Sequence, residues 1–414
     1  MTKRIAWLVP FPIKGSGGHR TIFSHIQNLI NHGYDCDVYI GDEERKCLQP
    51  HILKEIITDY FGSCSAGFYS GYQTNGYYDM AVATVWWTAS IVAAQVNAAR
   101  KVYFIQDYEP YFYPMGDEYI SAENSYALEL IPITIGRWLA HLMATQYHKK
   151  AAYFNFTADR TVYTPLNSIR KEKSICFIYQ PEKPRRCPTV GCEALAIVKH
   201  HCPDVHIYTY GSSIPPHFSF EHTHLGILSL SECNELYNRC QVGLCLCSSN
   251  PSRIPFEMMA AGLPVVDFFD DNTIYDFPNG GILLAHKTPG AIASAIIKIL
   301  RSNNLQCSMR TIALDFMTKR NADLEFDQFL DIIERITKSQ QLKTGKILPL
   351  YSESPHSSHL SLPNETLTKN YISEKTEEKN NQSTKTENNM KTIKYWLANN
   401  RISRLLKVLI RGYY

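Results

Sequence analysis

Short runs of apolar residues, bounded by glycine and polar turns, alternate along the chain with stretches whose apolar positions return every three to four residues. Runs of the first kind suit strands buried on both faces, the others suit amphipathic helices, and their alternation predicts parallel α/β units. Residues 5–9 read as a first strand. Ile22, Ile26, Leu29 and Ile30 then share a helical face that ends at Gly33, and 37–40 is a second strand. Further strands are predicted at 81–84, 102–105 and 152–155, with a linker near 163–173. A second series of strands follows at 174–179, 205–210, 225–228, 242–246 and 263–267. Helices are expected at 191–201, 256–261 and 289–301, and as one long segment over 309–335. A chain of 414 residues is too long for one ordinary core, so two domains are expected, at 1–168 and 169–310.

The pattern changes near 338. From there to 390, Ser, Thr, Asn, Lys and Glu dominate without period, which reads as a disordered linker. In 391–414, Ile402, Leu405, Leu406 and Leu409 share one helical face, and Arg404, Lys407 and Arg411 the opposite one. Such a basic amphipathic helix suits an anionic membrane surface or a partner protein. No apolar run is long enough to span a bilayer, and the N-terminal run is too short for a signal peptide. A net charge of +3 argues against nucleic acid as a partner. The twelve cysteines show no zinc spacing and several sit in apolar segments, so reduced thiols in the cytoplasm and no metal site are expected. The tail would place the protein peripherally on the inner face of the plasma membrane.

Candidate chemistry gathers at strand ends. Residues 248–252 form a polar loop between a strand and a short helix. Ser252 and Arg253 lie at the end of that loop, the helix is expected to start near Pro255, and Glu257 lies within its first turn. Helix starts present unpaired N–H groups suited to phosphate, although an ordinary strand–helix connection has the same pattern. Gly17, Gly18, His19 and Arg20 follow the first strand, as a ligand-approaching loop or a plain tight turn. Gln106, Asp107, Tyr108 and Glu109 open an aromatic, acidic segment that suits sugar hydroxyls and ring faces, or packing under a long loop. Residues 181–186 form a basic loop in which Arg185 or Arg186 could meet a diphosphate, or simply face solvent. Gly211 ends the next strand.

The 251–266 segment resembles the donor-binding motif of retaining glycosyltransferases of the GT-B fold, the family 4 group. Glu257 matches the second of that motif's two glutamates, and Ser249 stands where the first belongs. Gly17, Gly18, His19 and Arg20 match the group's glycine loop. Gln106 replaces the group's histidine, which suits a 6-deoxy sugar, and Asp107 keeps the acid. With the 106–114 run and 122–126 (Ala-Glu-Asn-Ser-Tyr), the chain resembles bacterial surface-glycan rhamnosyltransferases of the WsaF type. The resemblance implies an α/β protein with two Rossmann-like domains facing a cleft, and a helix at 311–337 packing back toward the first. It implies metal-independent transfer with retention, without a cofactor, of L-rhamnose from dTDP-rhamnose to a polysaccharide or lipid-linked glycan. Asp107, Glu109 and His19 would be catalytic. Arg185, Arg186, Gly211, Ser252, Arg253 and Glu257 would hold the donor. Gly17, Gly18, Arg20, Gln106 and Tyr108 would line the acceptor side. The rival readings are a transferase for another nucleotide sugar, an inactive scaffold of the same fold, and a nucleotide-sugar epimerase of that fold.

Overall fold

The computed structural model of the chain describes residues 2–41 and 47–361. The first sheet has seven strands: β1 (Arg4–Val9), β2 (Asp35–Ile40), β3 (Gly67–Ser70), β4 (Tyr78–Ala83), β5 (Ala98–Ile105), β6 (Ile131–Ile135) and β7 (Ala152–Phe154). The second has six: β8 (Ser174–Ile178), β9 (His206–Tyr210), β10 (Thr223–His224), β11 (Val242–Leu244), β12 (Val265–Phe268) and β13 (Leu283–Ala285). Their orders are β3-β2-β1-β4-β5-β6-β7 and β10-β9-β8-β11-β12-β13, and every pairing is parallel. Two doubly wound α/β lobes result.

In each lobe the strand order reverses once, between β1 and β4 and between β8 and β11. Crevices open above the carboxyl ends of strands at such reversals, because the flanking connections leave on opposite faces of the sheet. The predicted loops lie there: the glycine loop follows β1, the basic loop follows β8, and 245–252 follows β11.

The central strands are apolar on both faces because helices cover both. Trp7 packs edge-on against Phe104 at 5.9 Å, and Phe104 stacks on Phe154 at 5.7 Å. Phe329, from the last helix (Ala322–Thr337), closes this cluster against Trp7, Phe104 and Phe154. The chain therefore returns from the second lobe to the first.

Four expectations need correction. The helix expected over 309–335 is two helices, Asn303–Thr318 and Ala322–Thr337. Asn321 Oδ1 accepts from Leu324 N at 3.0 Å and caps the second, a start signal that unbroken periodicity concealed. Strand β6 escaped prediction because Pro132 argues against an inner strand; it pairs with both β5 and β7 all the same. The strand expected at 225–228 ends at His224. Residues 339–360, expected to begin a disordered linker, lie as a strap that leaves the first lobe, where Arg137 Nη2 donates to Leu348 O at 2.9 Å, and runs along the second. Tyr351 is buried, and Leu350 and Tyr351 both donate backbone N–H to Ile274 O at 2.9 Å. His356 then adds a parallel bridge to Ala285, at the edge of the second sheet. Gly290 permits the last approach, since a Cβ there would stand 2.0 Å from Leu360 O. Polar composition misled because the anchoring is done by backbone groups, one tyrosine and paired polar side chains such as Ser352 with Asn279 and His356 with Ser294. The rest of the expected linker and the helix at 391–414 lie outside the described residues. Among the described residues no helix is long and apolar enough to cross a membrane.

Candidate active site

The loop after β11 meets the carboxyl ends of β5 and β6. Asp107, just beyond β5, faces the second lobe: its Oδ1 accepts from Asn250 N at 2.8 Å, and its Oδ2 from Ser249 Oγ at 3.2 Å. Arg185 Nε stands 3.8 Å from the same carboxylate, and the Arg185 guanidinium covers the Phe112 ring at 4.4 Å. Burial raises the Asp107 carboxyl, while Arg185 and the two donors from the loop pull it down. Gln106 lies beside the glycine loop, with its amide 3.5 Å from where a Gly18 Cβ would be.

Arg186 is placed differently from Arg185. Its Nε and Nη1 are buried and make no hydrogen bond. The charges around it include Asp107 and Asp267. Asp267, at the end of β12, accepts from Cys247 N and Phe268 N through Oδ1, while its buried Oδ2 has no partner. Burial pushes its carboxyl up to about 8, against the pull of those N–H groups and of Arg186. Lys183 adds positive charge, and burial, Arg186 and Arg185 all lower its pKa. Gln180 is spent on Gly211 O at 3.1 Å. Gly211 has φ +100°, and a Cβ there would stand 2.3 Å from Ile178 Cδ1, so the backbone at this strand end has to be glycine.

Glu257 sits in the helix Arg253–Ala260, with Arg253, Arg20 and the Tyr163 hydroxyl around it. Burial pushes it up to about 7 despite those three groups. The Ser252 side chain makes no capping bond, so the first N–H groups of the helix are not satisfied by it. Arg253 turns away to a buried cluster. It donates to Glu325 through Nη1 at 2.7 Å and Nη2 at 2.5 Å, and to Thr21 Oγ1 through Nε at 3.2 Å. Glu325 also meets His25 Nε2 at 3.1 Å and accepts from Thr157 Oγ1.

Residues 72–136 match the family model of the WsaF N-terminal domain, and residues 173–297 that of the WsaF C-terminal domain. Over these two segments the chain is similar to WsaF. The O-antigen biosynthesis protein RfbC of Myxococcus xanthus is 29% identical over 259 residues, 61% of this chain and 20% of that protein, so the chain spans about a fifth of this relative. Among solved structures, TarM superimposes with a TM-score of 0.64 at 8% identity, over 81% of this chain and 99% of that one. Anabaena Alr3699/HepE in complex with UDP and glucose gives 0.60 at 12% identity, over 79% and 98%. A glycosyltransferase from Rickettsia africae gives 0.59 at 13% identity, over 82% and 100%. What is shared at these identities is the fold, and that fold is GT-B.

Several of the predicted residues are taken up by contacts within the protein. Gly17, Gly18, Arg20, Gln106, Arg186, Gly211, Ser252 and Glu257 follow the carboxyl ends of β1, β5, β8, β9 and β11. Glu109 is buried, accepts from Trp86 N at 2.9 Å and Tyr103 OH at 3.1 Å, and so caps the helix Trp86–Ala94. Burial pushes it up to about 8. Tyr108 is a core residue, bonded to Tyr147 OH at 2.9 Å and stacked on Tyr126. His19 is buried; its Nε2–H donates to Pro10 O at 3.3 Å and its Nδ1 meets Ser16 Oγ at 3.0 Å. Asp107 and Arg185 hold the lobes together, and Arg253 is neutralised by Glu325. Composition could not separate these from ligand-facing groups, because their partners come from distant segments. Asn250, Asp267, Tyr163 and Glu325 were missed for the same reason. Among the described residues, no group of three or more His, Cys, Asp or Glu could hold a metal ion.

Proposed function

We propose that this chain is a retaining glycosyltransferase of surface-glycan assembly that takes its sugar from a nucleotide diphosphate. The observation that carries the reading is Arg186, a buried guanidinium with two N–H groups that no protein acceptor meets. Such donors are costly to bury, and a diphosphate supplies both the charge and the acceptor oxygens they lack. In transfer, the bond from the anomeric carbon to the diphosphate oxygen breaks while the acceptor hydroxyl attacks from the same face. The departing oxygen takes that hydroxyl's proton. Arg186, Lys183 and the start of the helix Arg253–Ala260 stabilise the charge gathering on the diphosphate, without a metal. Glu257, poised near neutrality, holds a ribose hydroxyl, and the backbone beside Gly211 receives the base.

For the sugar we propose L-rhamnose from dTDP-rhamnose, on the strength of the WsaF-type motifs and of Gln106, which offers an amide where the group has a histidine. HepE was solved with UDP and glucose, so UDP-sugars are the natural competitors in a test. The acceptor is proposed to be a cell-surface or lipid-linked glycan, a reading that the likeness to RfbC supports. Peripheral association with the membrane through residues 391–414 belongs to the same proposal.

The test is donor binding and turnover. Thermal shift and calorimetry against dTDP-rhamnose, UDP-glucose and GDP-mannose should give one preferred donor. Arg186→Gln should weaken it at least tenfold, through the loss of about 1.5–3 kcal/mol of charge-assisted bonding. Unaltered affinity in that variant would remove Arg186 from the site. Binding without any transfer or donor hydrolysis would favour the scaffold reading.

A further inference from the structure

Asn250 is only 2% exposed, yet it sits at the tip of a second-lobe loop and spends its donors on the first lobe. Its backbone N–H donates to Asp107 Oδ1 at 2.8 Å. Its side-chain amide donates to Gln106 O at 2.9 Å and to Ile135 O at 3.4 Å. Those carbonyls belong to the carboxyl ends of β5 and β6, so the tip plugs the first sheet where its backbone would otherwise lack partners. Ser249 Oγ adds the bond to Asp107 Oδ2 at 3.2 Å.

Behind the tip, the loop is fastened to its own lobe. Cys247 Sγ donates to Asn250 O at 2.7 Å, and the Asn272 amide donates to Cys247 O at 3.1 Å and to Ser249 O. Three residues beyond Asn250 the helix carrying Glu257 begins. Movement of the first lobe relative to the tip therefore bears on the helix start through a few well-anchored residues.

We propose that Asn250 is a positioning residue that couples closure of the two lobes to alignment of the Glu257 helix with the first lobe. The inference rests on the transferase reading for its effect on catalysis, but the coupling itself is structural. The position requires an amide. It meets two carbonyl oxygens, and a carboxylate of the same shape would face both of them and Asp107 as well.

Asn250→Asp is the isosteric test, made in the full chain. Transfer should fall at least tenfold in kcat, roughly the loss of one hydrogen bond. The affinity for a nucleoside diphosphate, held by second-lobe groups, should change less than threefold. Small-angle scattering should show a larger radius of gyration, and amide exchange over residues 248–262 should quicken at least tenfold. Asn250→Ser, which keeps the backbone donor and cannot reach both carbonyls, should fall between Asp and wild type, and it decides the matter if the Asp variant does not fold. Wild-type scattering and exchange in either variant would overturn the proposal, whatever happens to kcat. If the wild-type chain transfers no sugar, scattering and exchange still test the coupling, and only the transferase reading fails.

Discussion

Replacing Glu325 by glutamine keeps the side chain's shape and removes its charge, at the junction where three segments of both lobes meet. Glu325 is 4% exposed and accepts both forks of Arg253, with His25 and Thr157 on the remaining lone pairs. The glutamine leaves a guanidinium without counter-charge and turns one amide N–H toward another donor. Breaking one side of a buried pair costs about 3–5 kcal/mol, and the quarter exposure of Arg253 reduces this to about 2–4 kcal/mol. With an unfolding entropy of ~2.1 cal/mol/K per residue over roughly 350 ordered residues, the melting point should drop by about 3–6 °C. Thermal unfolding followed by near-UV circular dichroism reads this directly. The pH dependence has a definite sign. Burial alone would raise the Glu325 carboxyl, but Arg253 and His25 overcome it and hold it well below its ordinary 4.5. The contribution is therefore complete above about 4.5 and is lost as pH falls through the lower folded value. The gap between wild type and Glu325→Gln should be constant from pH 6 to 8 and shrink in acid. The double variant Arg253→Met, Glu325→Leu should recover most of the loss, since a buried pair replaced whole is close to neutral. A drop below about 1 °C, or one unchanged at the lowest pH at which both proteins fold, would refute the reasoning.

Two further outcomes follow from the structure. A chain ending at 361 should melt like the full protein, whereas one ending at 338 should lose the strap and several degrees; Tyr351→Ala alone should cost about 2–4 kcal/mol in denaturant unfolding. Equal melting of the two truncations would mean that the strap does not hold. Asp267 has a carboxyl raised to about 8, so the folded state favours its protonated form and the penalty grows as pH rises from near 4 to 8. Asp267→Asn should therefore gain on wild type by up to about 2 kcal/mol between pH 6 and 8, and a flat difference across that range would contradict the assignment.

Local pattern was enough for the frame. The buried runs at β1, β2, β8 and β12, the glycine after β1 and the polar loop before Arg253 are features of adjacent residues, and they imply parallel α/β units with crevices at the strand ends. Hydrophobic period and turn chemistry act over a few positions, so a sequence displays them openly. It also displayed the polar and charged residues that follow the strand ends. It could not say which charges are free. Arg253 and Glu325 are 72 positions apart, and no period links them; only packing of the returning helix makes Arg253 a strut, while two buried N–H groups of Arg186 are left without an acceptor. Glu109 and Tyr108 likewise looked like sugar contacts until the fold buried them as a cap and a core residue. Charge and polarity belong to a residue, but whether they are spent or available depends on neighbours that the chain brings together only when it folds.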